Sequence, residues 1–128
     1  MHKSRLGAIV IDCEGEAFGD AEVFWSQALG CPAEHSDNPE HRNYVRLANR
    51  EGDVQILLQK VDHPSRVHID IETDDIEAEA QRLERLGARK ITRLPRWWVM
   101  EAPTGQRFCV VNPQRSTFEQ DANQWDNQ

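Results

Sequence analysis

The feature that most constrains this chain is an internal repeat. A helical stretch ending Leu29-Gly30-Cys31 leads into strand-like sequence, and a second ending Leu86-Gly87-Ala88 does the same. Each half then closes on a Gly turn and an apolar run. The first reads Gly52-Asp53-Val54-Gln55-Ile56-Leu57-Leu58 and the second Gly105-Gln106-Arg107-Phe108-Cys109-Val110-Val111. Matching points lie about 53 to 57 residues apart, at the long end of known repeat periods, and two copies are too few for a solenoid. They suit two half-domains that share one sheet.

A length of 128 residues is near the usual size of one domain and allows a core without staples. The net charge of −7 disfavours nucleic acid as a partner, because phosphate contacts need clustered Lys and Arg. No apolar run approaches the roughly 20 residues of a membrane span, so no membrane partner is expected. The basic start Met1-His2-Lys3-Ser4-Arg5 precedes an apolar run that stops at Asp12, too short for a signal peptide. Cys13, Cys31 and Cys109 form no CxxC pair. Their odd number fits a reducing cytoplasm, and their spacing argues against structural zinc.

Residues 6–12 are β-branched and apolar and predict a strand. Asp20 is placed to cap a helix over residues 21–29, with Ala21, Phe24, Trp25, Ala28 and Leu29 on one face and Gly30 at its end. A short strand over 33–35, a turn over 36–41, a strand over 44–48, a turn over 49–53 and a strand over 54–61 complete the first half. Residues 67–72 alternate, with Val67, Ile69 and Ile71 expected on the core face and His68, Asp70 and Glu72 opposite. Thr73-Asp74-Asp75 caps a helix over 76–86 whose apolar stripe is Ile76, Ala80, Leu83 and Leu86. Its outer face, Glu77, Glu79, Arg82, Glu84 and Arg85, reads as solvated. Strands follow over 90–94, 97–101 and 106–111. The order is βαβββ twice, an α+β domain over residues 1–113 with modules of about 5–61 and 66–113. In the tail, residues 114–128, Phe118, Ala122 and Trp125 have helical spacing. That tail is either a docked helix or a frayed end.

Three groups of residues resemble the vicinal oxygen chelate superfamily, the glyoxalase and bleomycin-resistance-like proteins. They are Phe24-Trp25-Ser26-Gln27-Ala28-Leu29-Gly30, His68-Ile69-Asp70-Ile71-Glu72-Thr73-Asp74-Asp75-Ile76 and Ala102-Pro103-Thr104-Gly105-Gln106-Arg107-Phe108. The resemblance covers about residues 5–113. It implies two βαβββ modules whose sheets form a cup with helices outside, pairing into homodimers, and a divalent metal held by one ligand from each of four strands. Those four positions fall on Ala8, Gln59, His68 and Cys109. Ala8 cannot bind metal and Cys109 changes the ligand type, so no cofactor is expected; a divalent ion, if bound, would use His68, Gln59 and Cys109.

The expected role is therefore binding of a small metabolite or toxic compound. The alternative is a lyase, isomerase or dioxygenase using His68, with a non-standard metal or with acid–base chemistry by His68 and Asp70. His68 and Asp70 form either a pocket pair, a solvated strand face or a buried pair satisfied by other side chains. Cys109 is either an inert lining residue or a nucleophile activated by His68. Of Trp97 and Trp98, adjacent on a strand, one should pack on helices and the other could stack on a flat ligand. Arg46 and Arg107 are either cations for an anionic ligand or solvated residues. Trp25, Cys13 and Cys31 read as core.

Overall fold

A computed structural model describes residues 1–16, 18–50 and 53–126 of the chain. The elements are β1 (His2–Glu14), α1 (Phe18–Leu29), β2 (Ala33–Glu34), β3 (Tyr44–Leu47), β4 (Gln55–Val61), β5 (Arg66–Thr73), α2 (Ile76–Arg85), β6 (Arg89–Leu94), β7 (Trp97–Glu101), β8 (Arg107–Val111), α3 (Phe118–Asp121) and β9 (Asn123–Trp125), with a 3-10 turn at Pro39–His41. The βαβββ order occurs twice, as the repeat requires. Among the described residues no helix is long and apolar enough to cross a membrane. The chain divides into two compact units, Met1–Ala8 with His68–Gln128, and Ile9–Val67. β1 gives its first residues to the former and the rest to the latter.

In the unit of Ile9–Val67, β2, β3 and β4 form an antiparallel ladder in which Val45 faces Leu58 and Leu47 faces Ile56. Alternation puts Val45, Leu47 and Leu58 on one face, where they are buried, and Phe18 and Trp25 of α1 pack against them. Asp20 is not the cap of α1 but lies inside its first turn, where a carboxylate still favours the helix dipole. The expected stripe is only partly used: Trp25 packs, while Phe24, Ala28 and Leu29 are exposed. Gly30 ends the helix at φ 66°, a backbone that glycine adopts without strain. The turn expected at residues 49–53 includes Glu51 and Gly52, outside the described residues.

In the other unit the strand order is β5-β8-β7-β6. β5 and β8 are parallel, and the remaining pairs antiparallel. Met100, Phe108 and Val110 bury one face against Ala80 and Leu83 of α2, with Ile71 and Trp98 at the margin. Asp75 caps α2, its side chain accepting from the Ala78 amide at 3.0 Å. Asp75→Ala should cost about 1 kcal/mol of stability, read as a lower urea midpoint with an unchanged m-value.

Three expectations fail across residues 67–86. Val67 and Ile69 are 62% and 43% exposed, and of the three residues placed on the core face of β5 only Ile71 packs against the buried cluster. Leu86 lies past the end of α2 as its cap residue and is exposed. Glu79, placed on the solvated face, is fully buried. The tail is not one helix: a single turn buries Phe118, and β9 then pairs Trp125 with His2, Gln124 with Lys3 and Asn123 with Ser4. This pairing explains why β1 begins at His2 rather than Leu6.

Candidate functional site

The pleat of β5 alternates side chains between two faces. Ile71 meets α2, so His68, Asp70 and Glu72 point away from it. Asp70 lies opposite Cys109 of β8, and Cys109 opposite Val99 of β7. The face turned away from α2 therefore carries His68, Asp70, Cys109, Arg107, Val99 and Trp97. Adjacent strands bring donors from distant sequence within reach, and one nitrogen of His68, one carboxylate oxygen of Asp70 and the sulfur of Cys109 all lie within 4.8 Å of one another.

Within this cluster His68 Nε2 is 3.4 Å from Asp70 Oδ1, and the two side chains are 12% and 16% exposed. Asp70 Oδ1 is buried and accepts no hydrogen bond among the described residues. A buried acceptor left in that state is costly unless something else satisfies it. The three groups are a nitrogen base, a carboxylate and a thiol, able together to accept a ligand's protons, to move one, or to ligate a cation.

The tryptophans separate as strand geometry demands. Trp98 packs towards α2, its Nε1 donating to Glu77 Oε1 at 3.1 Å. With the hydrogen bond from Trp98 as the main cause, the Glu77 carboxyl is held below its ordinary range. Trp97 is on the face of Cys109 and is half-buried. Arg107 shares that face but donates to Glu101 at 3.1 Å, and Glu101 also accepts from Arg89. Hydrogen bonds from Arg89 and then Arg107 hold the Glu101 carboxyl below its usual range. Arg107 is thus engaged, and its charge is largely answered.

Two other candidates belong to the unit of Ile9–Val67. Gln59 donates to the Tyr44 hydroxyl at 2.9 Å, and Arg46 Nη1 lies 4.0 Å from Glu34. The β3–β4 register puts both on the face opposite α1. Ala8, on β1, is buried and offers no donor.

Sequence reading missed Glu72 as part of this framework. It is fully buried, accepts from Arg5 Nε at 2.6 Å and from the Gln114 amide at 2.9 Å, and lies 3.4 Å from Arg115 Nε. Its place on the face of His68 and Asp70 was visible. Its partners, from the first strand and the tail, were not. Gly7 sits against it: a Cβ there would lie 3.1 Å from Glu72 Cβ.

Comparison with solved structures places the fold. Methylmalonyl-CoA epimerase from Mycobacterium tuberculosis is 17% identical over 85% of this chain and 87% of that one, with a TM-score of 0.58. A glyoxalase/bleomycin resistance protein/dioxygenase superfamily member from Vibrio splendidus 12B01 is 19% identical over 84% and 98%, with a TM-score of 0.52. An extradiol ring-cleaving dioxygenase from B. fuscum is 15% identical over 86% of this chain but 32% of that one, with a TM-score of 0.57. No curated protein matches. At these identities the likeness shows a shared fold, and residues 8–111 match the glyoxalase-like domain family itself. This chain belongs to the glyoxalase-like domain family.

Proposed function

We propose that the chain is a small-molecule-binding protein whose ligand meets His68, Asp70 and Cys109 on the face of β5 and β8 turned away from α2. The observation that carries this reading is the convergence of three different donor atoms within 4.8 Å, one of them the buried Asp70 oxygen that accepts no hydrogen bond. A hydroxyl or amide of the ligand would satisfy that oxygen, His68 would add a second polar contact, and Trp97 offers an aromatic surface. Pairing of two copies belongs to the same reading and rests on the family resemblance.

The four-strand metal set of the superfamily does not fit, because Ala8 carries no donor and Cys109 stands where a carboxylate is usual. The donor distances favour a second reading. His68, Asp70 and Cys109 suit a borderline cation such as zinc, whose catalytic sites use three protein ligands and an open position. Those residues would hold it, and it would polarise a ligand oxygen. With zinc held there the chain would be a lyase or isomerase; without a metal, His68 would exchange a proton with the substrate while Asp70 orients the imidazole.

The test is a thermal-shift screen with small carbonyl and carboxylate compounds on the full chain. Compounds that raise the melting temperature of the parent should have no effect on His68→Ala and a reduced effect on Asp70→Asn. Ligands that stabilise both variants as fully as the parent would remove these residues from the site.

A further inference from the structure

We infer that the unit of Ile9–Val67 carries a second small-molecule site, for an organic cation with an aromatic or apolar body. An open groove of about 540 Å³ lies between the first turns of α1, the end of β1 and the segment Ser65–Val67. Pockets that hold small molecules run from roughly 300 to 1,000 Å³. None of its lining residues is His68, Asp70 or Cys109, so it goes beyond the site already proposed.

Its walls are largely apolar, and Phe24 and Val67 are left in water. Ile11, Trp25, Phe24 and Val67 line it, and Phe24 is 60% exposed. The rings of Phe24 and Trp25 meet edge to face, with centroids 5.0 Å apart. Large apolar side chains gathered exposed around a concavity mark a surface that something covers. Cys13 also lines it; burial, and then the Asp12 charge, push its thiol above the usual range, so it stays protonated and acts as a wall.

Charge selects the occupant. The lining includes Asp12, Glu14, Asp20 and Arg66. Arg66 Nε lies 3.5 Å from Asp12 Oδ2, so its charge is answered within the wall. Glu14 and Asp20 form no ion pair among the described residues. Uncompensated carboxylates beside aromatic faces attract a cation twice, through the field of the acids and through the ring quadrupoles.

Benzyltrimethylammonium is the probe, titrated into the full chain and followed by tryptophan fluorescence and calorimetry, with phenylacetate as its anionic counterpart. The cation should saturate at millimolar concentration and phenylacetate should not. The double variant Glu14→Gln/Asp20→Asn, which alters only charge at the rim, should bind the cation roughly tenfold more weakly. Trp25→Leu should bind it less still, and His68→Ala should bind it as the parent does. If Trp25→Leu fails to fold, the double variant decides alone. The site is overturned by a cation that does not saturate, by phenylacetate binding as well as the cation, or by undiminished binding in the double variant. It is equally overturned if the chain sediments as a dimer that Phe24→Asp dissociates, since a second copy would then fill the groove.

Discussion

Replacing Glu72 by alanine should lower stability by about 3–5 kcal/mol, the usual consequence of stripping a buried charge from its partners. That corresponds to a melting temperature lower by about 10 to 20 °C. The carboxylate has no solvent access and binds Arg5 at 2.6 Å and the Gln114 amide at 2.9 Å, with Arg115 at 3.4 Å. The side chains of Arg5 and Arg115 are themselves 9% and 8% exposed. Without Glu72 the two buried guanidinium groups lose their shared carboxylate and the Gln114 amide loses its acceptor. Glu72→Gln keeps the shape and one acceptor and should lose less. Equilibrium unfolding in urea measures both, and an Ala variant with the parent's midpoint would show that water reaches these arginines after all. Glu72 also continues the β5 face of His68 and Asp70, so this cluster ties the strand that carries the site to the first strand and the tail.

The second large effect is expected at Glu79. Its carboxylate lies 2.7 Å from His2 Nε2 and accepts from Arg82 Nε and Nη2 at 2.8 Å each. Arg82 in turn lies 3.9 Å over the Trp125 ring, and Trp125 donates to Ser4 Oγ at 2.8 Å. One buried acid thus joins α2, the start of β1 and β9. Glu79→Ala should cost about 3 kcal/mol at pH 7. Burial alone would raise this carboxyl, but hydrogen bonds from Arg82, His2 and Ser4 outweigh it and hold it below the usual carboxylate range. A depressed carboxyl contributes stability in full above its unfolded value and loses it as pH falls through the folded one. The parent should therefore lose stability on acidification below about pH 5 more steeply than Glu79→Gln. Parallel acid limbs in thermal unfolding would contradict the linkage.

What the sequence made legible was local or periodic. The repeat gave two βαβββ units. Asp75 was a recognisable cap because its partner, Ala78, is three residues away. Alternation put His68 and Asp70 on the face of Cys109. What it concealed depends on partners far along the chain. His2 and Glu79 meet across 77 positions, and no helical-wheel reading buries a glutamate on a charged face without that knowledge. The polar start of β1 carries no apolar run to extend the strand before Leu6, because its pairing strand is the tail. Val67 and Ile69 looked like core because periodicity reports which residues share a face, not which part of that face is buried. Trp97 and Trp98 had to part, but only the packing of α2 decided which went where.

The most direct measurement on the candidate site uses cobalt(II) as a ruler for the convergence of His68, Asp70 and Cys109. Cobalt bound through a thiolate has an intense near-ultraviolet charge-transfer absorption, so titration of metal-free protein reports both binding and the ligand. The cation reading of this cluster predicts one ion per chain with that absorption. Cys109→Ser should abolish the band, His68→Ala should abolish binding, and Asp70→Asn should weaken binding by roughly ten- to a hundredfold. Absorption that never develops, or a band that survives His68→Ala, would contradict the cation reading and leave the three side chains to a metal-free ligand.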